Sequence, residues 1–439
     1  MTFSALGLSD PLIRALTEKG YVSPYPIQIK VIPLALTGKD ILATAQTGTG
    51  KTACFTLPIL QRLSGGFKVK NNHVKSLILA PTRELAVQIA ANIDSYGKYI
   101  SFKSGVVYGG VKINPQMMLL RGGVDLLVAT PGRLLDLYNK NAVKFAQLET
   151  LVLDEADRML DLGFTKDINK IIDLLPLKRQ NLLFSATISN EIRKLTNKLL
   201  KNPQHIDAGI RNSTASNVNQ YVYEVDKAKK AGLLIHLLRN KGWGQVLVFT
   251  RTKKGADQLV QQLKAVGFSA SAIHGDKSQS ERTQSLAAFK EKNVQILVAT
   301  DLASRGLDIN ELPHVINFDL PKVAEDYVHR IGRTGRAGLE GEAISLISAD
   351  EVSLLTNIET LIRRLLVREV QNGFVPTHSV PVTHLLKQRP KKPKKAKKVT
   401  LDHNQADGRK TQNTRGKGTP KSSFADTKSG GKTRGRRLR

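Results

Sequence analysis

The chain has 439 residues, 41% of them hydrophobic, which is more than one typical core and suggests two or three domains. Its one cysteine, Cys54, excludes an intramolecular disulfide and argues against a Cys-built zinc site, so a reducing, cytoplasmic setting is expected. Lys and Arg number 67 against 37 Asp and Glu, and the resulting +30 points to a polyanion, most often nucleic acid; a ribosome-bound protein or an anionic membrane surface would also answer to charge alone.

The first residues, MTFSALGLSDPLIRAL, carry no basic leader, and Asp10 interrupts their apolar run, so no signal peptide is expected. No apolar run approaches the roughly 18 residues of a membrane helix, and no membrane partner is expected. AQTGTGKT (45–52) follows. Gly48 and Gly50 allow a tight turn whose N–H groups point at phosphate oxygens, and the helix start behind it adds a positive dipole end. Lys51 would reach the β/γ-phosphates, and the Thr52 hydroxyl would ligate Mg²⁺. The strict motif opens with Gly, where this chain has Ala45.

Short continuous apolar runs then alternate with amphipathic segments, the pattern of a doubly wound parallel sheet. The first half supplies SLILA (76–80), DLLVA (125–129), TLVLD (150–154) and NLLFS (181–185), with a helix over 83–100. The second half supplies QVLVF (245–249), SASAI (269–273), QILVA (295–299), HVINF (314–318) and EAISLI (342–347). LLVAT at 126–130 recurs as ILVAT at 296–300, and YGG at 108–110 is echoed by HGD at 274–276, which suggests duplicated domains. The expected boundaries are a first domain over 1–206, a linker over 207–217, a second domain over 218–373 and a basic tail over 374–439. Residues 387–439 hold 19 Lys and Arg against 3 Asp and Glu, too few apolar groups to offset ordering entropy, so disorder is expected there.

LVLDEAD (151–157) ends an apolar strand in acids. Asp154 stands where the second Mg²⁺-side carboxylate belongs, and Glu155 could deprotonate the water that attacks the γ-phosphate. DEAD at 154–157 together with AQTGTGKT resembles the DEAD-box ATP-dependent RNA helicases. The further motifs follow in the family's order over residues 3 to about 350: PTRELA (81–86), GG (109–110), TPGR (130–133), SAT (185–187), ATDLASRGLDI (299–309) and HRIGRTGRAG (329–338). The pattern looks most like the bacterial RhlE-type branch.

The resemblance implies two tandem RecA-like α/β domains of a P-loop NTPase, with ATP and Mg²⁺ as cofactors. It implies that Gln46, Thr47, Gly48, Thr49 and Gly50 join Ala45, Lys51 and Thr52 around ATP. GYVSPYPIQ (20–28) is similar to the family's adenine-reading Q motif, in which Gln28 would bond the adenine edge, Tyr21 would stack on its face and Phe3 would stand upstream; Tyr25 replaces the usual Thr. Arg333 and Arg336, predicted on one side of a helix-like turn, would reach the γ-phosphate from the second domain, and Asp308 would meet the ribose. Ser185 and Thr187, with Asp157, would couple the triphosphate to strand separation.

Pro81, Thr82, Arg83, Gly109, Gly110, Thr130, Pro131 and Arg133, continued by Thr300, would form a backbone-reading RNA track, sequence-tolerant because such contacts carry little base information. RLLDLYNK (133–140) resembles the family's wedge helix. The implied activity is RNA-stimulated ATP hydrolysis that closes two domains and unwinds short duplexes or remodels RNA–protein complexes. Ribosomal precursors or RNA-decay proteins are the expected partners, and the chain is expected to be a monomer. The rival readings are an ATP-gated RNA clamp or annealing chaperone, and a DNA translocase of the same superfamily. Cys54, His274, His314 and Trp243 read as packing residues.

Overall fold

The structure is a computed structural model that describes residues 2–45, 49–65, 69–207, 218–301, 309, 312–335 and 341–385. Gln46, Thr47, Gly48, Asp308, Arg336 and the chain from 386 onward lie outside the described residues.

The first lobe runs α1 (Asp10–Glu18), α2 (Pro26–Leu36), β1 (Ile41–Thr44), α3 (Lys51–Leu63), β2 (Val74–Leu79), α4 (Arg83–Tyr96), β3 (Ser104–Val107) and α5 (Ile113–Arg121). It continues with β4 (Val124–Ala129), α6 (Pro131–Asn139), β5 (Thr150–Leu153), α7 (Ala156–Asp161), α8 (Thr165–Leu174), β6 (Gln180–Ser185), α9 (Asn190–Leu199) and β7 (Gln204–Asp207). The second lobe runs β8 (Val218–Glu224), α10 (Lys230–Lys241), β9 (Val246–Thr250), α11 (Lys253–Ala265), β10 (Ala270–Ile273) and α12 (Gln279–Lys290). β11 (Ile296–Thr300), β12 (His314–Asn317), α13 (Ala324–Ile331), β13 (Gly341–Ile347), α14 (Val352–Ile362) and β14 (Val367–Glu369) complete it.

Each lobe holds one seven-stranded sheet, ordered β3-β4-β2-β5-β6-β1-β7 and β10-β11-β9-β12-β13-β8-β14. Counted from each lobe's own first strand, the two orders are identical. β4 and β11, which carry the repeated LLVAT and ILVAT, occupy the same place, so the sequence echo reflects a repeated fold. All of the described pairings are parallel.

Burial on both faces accounts for the continuous apolar runs. Ile78 and Val152 pack into one core of the first lobe, while Leu77, Leu79, Leu151 and Leu153 pack into the core on the other face. Each such side chain contributes about 1.5–3 kcal/mol when removed from water. Helix starts are locally encoded. The Thr82, Ser189, Thr252 and Ser278 hydroxyls accept from N–H groups of the first turns of α4, α9, α11 and α12.

The nine apolar runs all form strands, but five strands escape that pattern. β3, β7 and β14 are short and lie at sheet edges with polar or exposed residues, β8 alternates, and β1 has only four residues before the phosphate loop. The tail boundary at 374 needs correction, because the packed chain continues past it. Phe374 sits 5.4 Å from the His236 ring, Thr377 donates twice to Asp226 (2.8 and 2.9 Å), and Val380 is buried. Arg368 donates to Pro381 O at 3.0 Å and Thr383 Oγ1 at 2.8 Å. This strap has two prolines and no periodicity, so nothing in its pattern announces a packed segment.

Candidate functional site

Strand order divides the carboxyl edge of each sheet into two halves. In the first lobe, β5, β6 and β1 are neighbours and end in DEAD, SAT and the phosphate loop, while β3, β4 and β2 are neighbours and end in GG, TPGR and PTRELA. Segments far apart in sequence thus form two adjoining surfaces at the edge where open α/β sheets place ligands.

On the first half, the described part of the loop is built around Gly50. Its φ is +81°, and an added Cβ would stand 2.5 Å from Gln28 Nε2, so only glycine fits. Ala45 is tolerated because its backbone extends β1, its N–H donating to Ser185 O at 3.0 Å, and its φ is not positive. Lys51 is buried, with Nζ donating to Ala45 O at 2.9 Å, and Thr52 follows it in the first turn of α3. Thr49 is half-buried beside Gly50.

The Gln28 amide is fully buried: Oε1 accepts from Tyr25 N–H at 2.9 Å, and Nε2 donates to Gly50 O at 3.1 Å. The amide therefore ties the entry of α2 to the end of the phosphate loop. Tyr21 is half-buried, edge-on to Phe3 and Tyr96, with its hydroxyl 3.0 Å from that of Tyr96. Phe3 is 5% exposed and packs its ring against the Tyr21 ring, with centroids 6.3 Å apart.

Asp154 is buried at the end of β5, and its Oδ1 accepts from Glu155 N–H at 3.0 Å. Burial pushes its carboxyl up to about 7; Lys51 pulls it down and Glu155 pushes it further up. Glu155 has φ 49° and ψ 53°, a left-handed conformation that costs a residue with a Cβ about 1 kcal/mol or more. Asp157 Oδ2 accepts three bonds from the next strand's loop: Ala186 N–H (3.0 Å), Thr187 N–H (2.9 Å) and the Thr187 hydroxyl (3.0 Å). The Ser185 hydroxyl donates to Thr187 O at 2.6 Å, so the DEAD and SAT segments form one polar unit.

The second lobe supplies the opposite wall. A cavity of about 340 Å³ is lined by Lys51, Glu155 and Asp157 of the first lobe and by Asp326, His329 and Arg333 of the second. Arg333 is 7% exposed, with its carbonyl accepting from Leu312 N–H at 3.1 Å. It lies in a turn past the end of α13, where a helix-like turn was expected.

On the other half, Arg83 Nη1 donates to Gln279 Oε1 of the second lobe at 3.5 Å, and its guanidinium covers Gly110, where a Cβ would come within 2.1 Å. Gly109 is half-buried, Pro81 and Pro131 are buried, and Thr82 caps α4; Thr130 and Thr300 are 8% and 7% exposed. Arg133 is held by its own lobe. It is buried, its Nη1 donates to Gln116 Oε1 at 3.1 Å and its Nη2 to Val111 O at 3.0 Å, so it braces the loop before α5 and does not present a free fork. α6 (Pro131–Asn139) occupies the segment read as a wedge helix.

Sequence reasoning missed the residues that join these parts. Glu84 pairs with Arg282 across the lobes at 2.7 Å. Arg330 forms a bidentate pair with Asp301. Glu84 and Arg330 stood in motif-like strings, but their partners are about 200 and 29 residues away, beyond any local pattern. His274 and His314 pair with Asp257 and Glu342 at 3.0 and 3.2 Å, Trp243 stacks on His314, and Cys54 is buried. Among the described residues, no helix is long and apolar enough to cross a membrane.

The DEAD/DEAH box helicase family profile matches residues 25–195, and the helicase conserved C-terminal domain matches residues 229–338. The chain is 42% identical to the DEAD-box ATP-dependent RNA helicase CshA of Geobacillus kaustophilus over 84% of this chain and 78% of that one. Among solved structures it resembles S. cerevisiae Dbp5 bound to RNA and ADP BeF3, with a TM-score of 0.76, 30% identity, and 85% and 96% of the two chains covered. A variant of the same yeast protein bound to Nup159, a Gle1 variant, IP6 and ADP gives a TM-score of 0.60 at 29% identity, covering 83% and 96%. The duplicated parallel sheets, the phosphate loop, the paired acids and these relatives together make the chain a member of the DEAD-box ATP-dependent RNA helicase family, an ATP-hydrolysing enzyme.

Proposed function

We propose that this enzyme hydrolyses ATP when RNA lies across both lobes, and that closing the lobes on both ligands separates short duplexes or remodels RNA–protein complexes. The observation that carries the reading is the shared cavity: Lys51 and Glu155 from one lobe and Arg333 from the other line the same 340 Å³. The higher similarity to Dbp5 bound to RNA and ADP BeF3 than to the ADP complex with Nup159 supports the same arrangement.

In this scheme Lys51 leaves Ala45 O for the β/γ-phosphates, and the loop N–H groups hold the triphosphate. Glu155 takes a proton from water as its oxygen bonds to the γ-phosphorus. The bond to the bridging oxygen breaks, and ADP leaves with the electron pair while Arg333 stabilises the charge on the transferring group. The donors present fit Mg²⁺. Asp154 and the Thr52 hydroxyl are hard oxygen ligands, and since no cluster of three or more His, Cys, Asp or Glu is found among the described residues, phosphate and water would complete the shell. Mg²⁺ would supply charge neutralisation at the phosphates.

Tyr21 and Gln28 would read adenine, Gln28 by exchanging its Gly50 bond for the base edge. Pro81, Thr82, Arg83, Gly109, Gly110, Thr130, Pro131 and Thr300 would follow the RNA backbone, with Arg133 holding their loops in register. Asp308 and Arg336 keep the roles implied by the family resemblance. Partners in ribosome assembly or RNA decay, and action as a monomer, fit the same reading. ATP turnover with and without RNA, for the natural chain and Arg333→Ala, tests it: absent RNA stimulation or an undiminished variant sinks the proposal. Strand displacement on short duplexes then separates a helicase from a clamp or annealing chaperone.

A further inference from the structure

Arg330 occupies the boundary between the two functional halves of the second lobe. β11, β9 and β12 are neighbours in its sheet. β11 ends in Thr300 on the half proposed for RNA, while α13 and Arg333 follow β12 on the half facing ATP. One guanidinium touches the ends of all three strands. Its Nε and Nη2 donate to Asp301 Oδ1 and Oδ2 at 2.5 and 2.7 Å, directly after β11. Its Nη1 donates to Asn317 Oδ1 of β12 at 2.9 Å and to Asp319 O at 2.6 Å, and its plane lies 4.9 Å from the Phe249 ring of β9. Asp319 in turn accepts from Arg251 N–H at 2.8 Å, closing the set on β9. The side chain is 2% exposed, while the Asp301 side chain is 27% exposed and within electrostatic reach of Arg158 on the first lobe.

A fork that bonds both oxygens of a carboxylate fixes angle as well as distance, so Asp301 and Arg330 move as one body. Arg330 is also fastened to Arg333: its carbonyl accepts from Arg333 N–H at 3.2 Å. The path from Thr300 to Arg333 is therefore a peptide bond, a two-point ion pair whose arginine is buried and bonded at all three nitrogens, and the hydrogen-bonded turn that ends α13. We propose that Asp301 and Arg330 are positioning residues that transmit RNA engagement at Thr300 into the placement of Arg333. This rests on the proposed RNA-stimulated hydrolysis and adds the contact that makes stimulation possible. Their proposed role runs through Arg333, whose N–H bonds the Arg330 carbonyl.

The experiment compares full-length natural chain, Asp301→Asn and Arg330→Lys. Asn keeps the shape of Asp301 but replaces one acceptor with a donor, and Lys keeps the charge of Arg330 without its fork. Five quantities are read: turnover without RNA, turnover at saturating RNA, the RNA and the ATP concentrations for half-maximal turnover, and the melting temperature. RNA-saturated turnover should fall about tenfold or more in both variants, with the half-stimulating RNA and ATP concentrations within about threefold and RNA-free turnover retained. Unchanged stimulated turnover overturns the proposal, as does a loss explained wholly by weaker RNA binding. So does collapse of the melting temperature in Asp301→Asn, because the pair would then be a structural bond alone. A natural chain without RNA stimulation would instead sink the functional reading, which keeps the two failures distinct.

Discussion

Glu84 Oε1 accepts from Arg282 Nη2 at 2.7 Å, an ion pair between the first turn of α4 and the first turn of α12 that leaves the two side chains only 9% and 11% exposed. Gln279 adds a second strand to the clasp, donating to Glu84 Oε1 at 3.3 Å and accepting from Arg83. Burial drives the Arg282 pKa down and the nearby Arg83 does the same, while Glu84 opposes both, so the pair depends on both partners being present.

Breaking the clasp should loosen the lobes without unfolding either. Arg282→Ala and Glu84→Gln are each expected to reduce RNA-stimulated turnover about tenfold, with a coupling energy of roughly 1–3 kcal/mol between them in a double-mutant cycle. Fluorescence transfer between dyes on the two lobes measures the separation directly. Additive effects would show that the pair does not act across the cleft.

The proposed Mg²⁺ role of Asp154 predicts a link between nucleotide binding and protons. Its carboxyl is raised from 3.8 to about 7, so between those values the folded chain holds a proton that the unfolded chain has lost. This group's contribution to stability is therefore greatest at low pH and declines as pH rises through that window. A divalent cation needs the carboxylate, so Mg²⁺–nucleotide binding should release protons and tighten as pH rises to about 7, then level off. Calorimetry near about pH 6.5 in two buffers of different ionisation enthalpy reads the proton count. No release, or the same release from Asp154→Asn, contradicts the assignment.

Gly50→Ala should be severe for a small change. The added methyl meets Gln28 Nε2 at 2.5 Å, in a backbone region that disfavours any Cβ. A loss of about 1–3 kcal/mol in stability is expected, along with at least about tenfold weaker ATP binding, because the loop and the Gln28 amide proposed to read adenine are displaced together. Equilibrium titration with a fluorescent ATP analogue checks it.

Asp157 and Thr187 should separate hydrolysis from work. Removing the Thr187 hydroxyl in Thr187→Val leaves one acceptor site of Asp157 unpaired and should destabilise the first lobe by about 1 kcal/mol. ATP turnover is expected to stay within about threefold while displacement of a short duplex falls by about tenfold. Equal losses in both assays would argue against a coupling role.

Truncation distinguishes strap from tail. A chain ending at Lys387 should keep its melting temperature but lose RNA affinity and part of its salt dependence, since the removed segment carries most of a +16 charge. One ending at Gly373 should also melt at a lower temperature, because Arg368 and Asp226 lose the partners that Thr383 and Thr377 supply. Indistinguishable melting of the two would show the strap to be dispensable.

Much of the site was legible because its chemistry is local. A phosphate loop, paired acids at a strand end and arginines in a short string each need residues within a few positions of one another. What stayed hidden is contact at long separation. The sequence shows Arg133 as a guanidinium after a strand, and only packing reveals that Gln116 and Val111 consume it. Gln28 was readable as an amide suited to adenine, but not as the bridge to Gly50.

By itself, the sequence determined the alternation of strand and helix, the duplication, the phosphate chemistry and the excess positive charge, because periodicity, turn geometry and residue type are properties of neighbours along the chain. Tertiary structure alone decided that β5, β6 and β1 share one edge while β3, β4 and β2 share another, and that Arg330 spans the corresponding divide in the second lobe. The physical reason is that strand order is settled by which apolar faces cover one another, a relation between distant segments that no local pattern records.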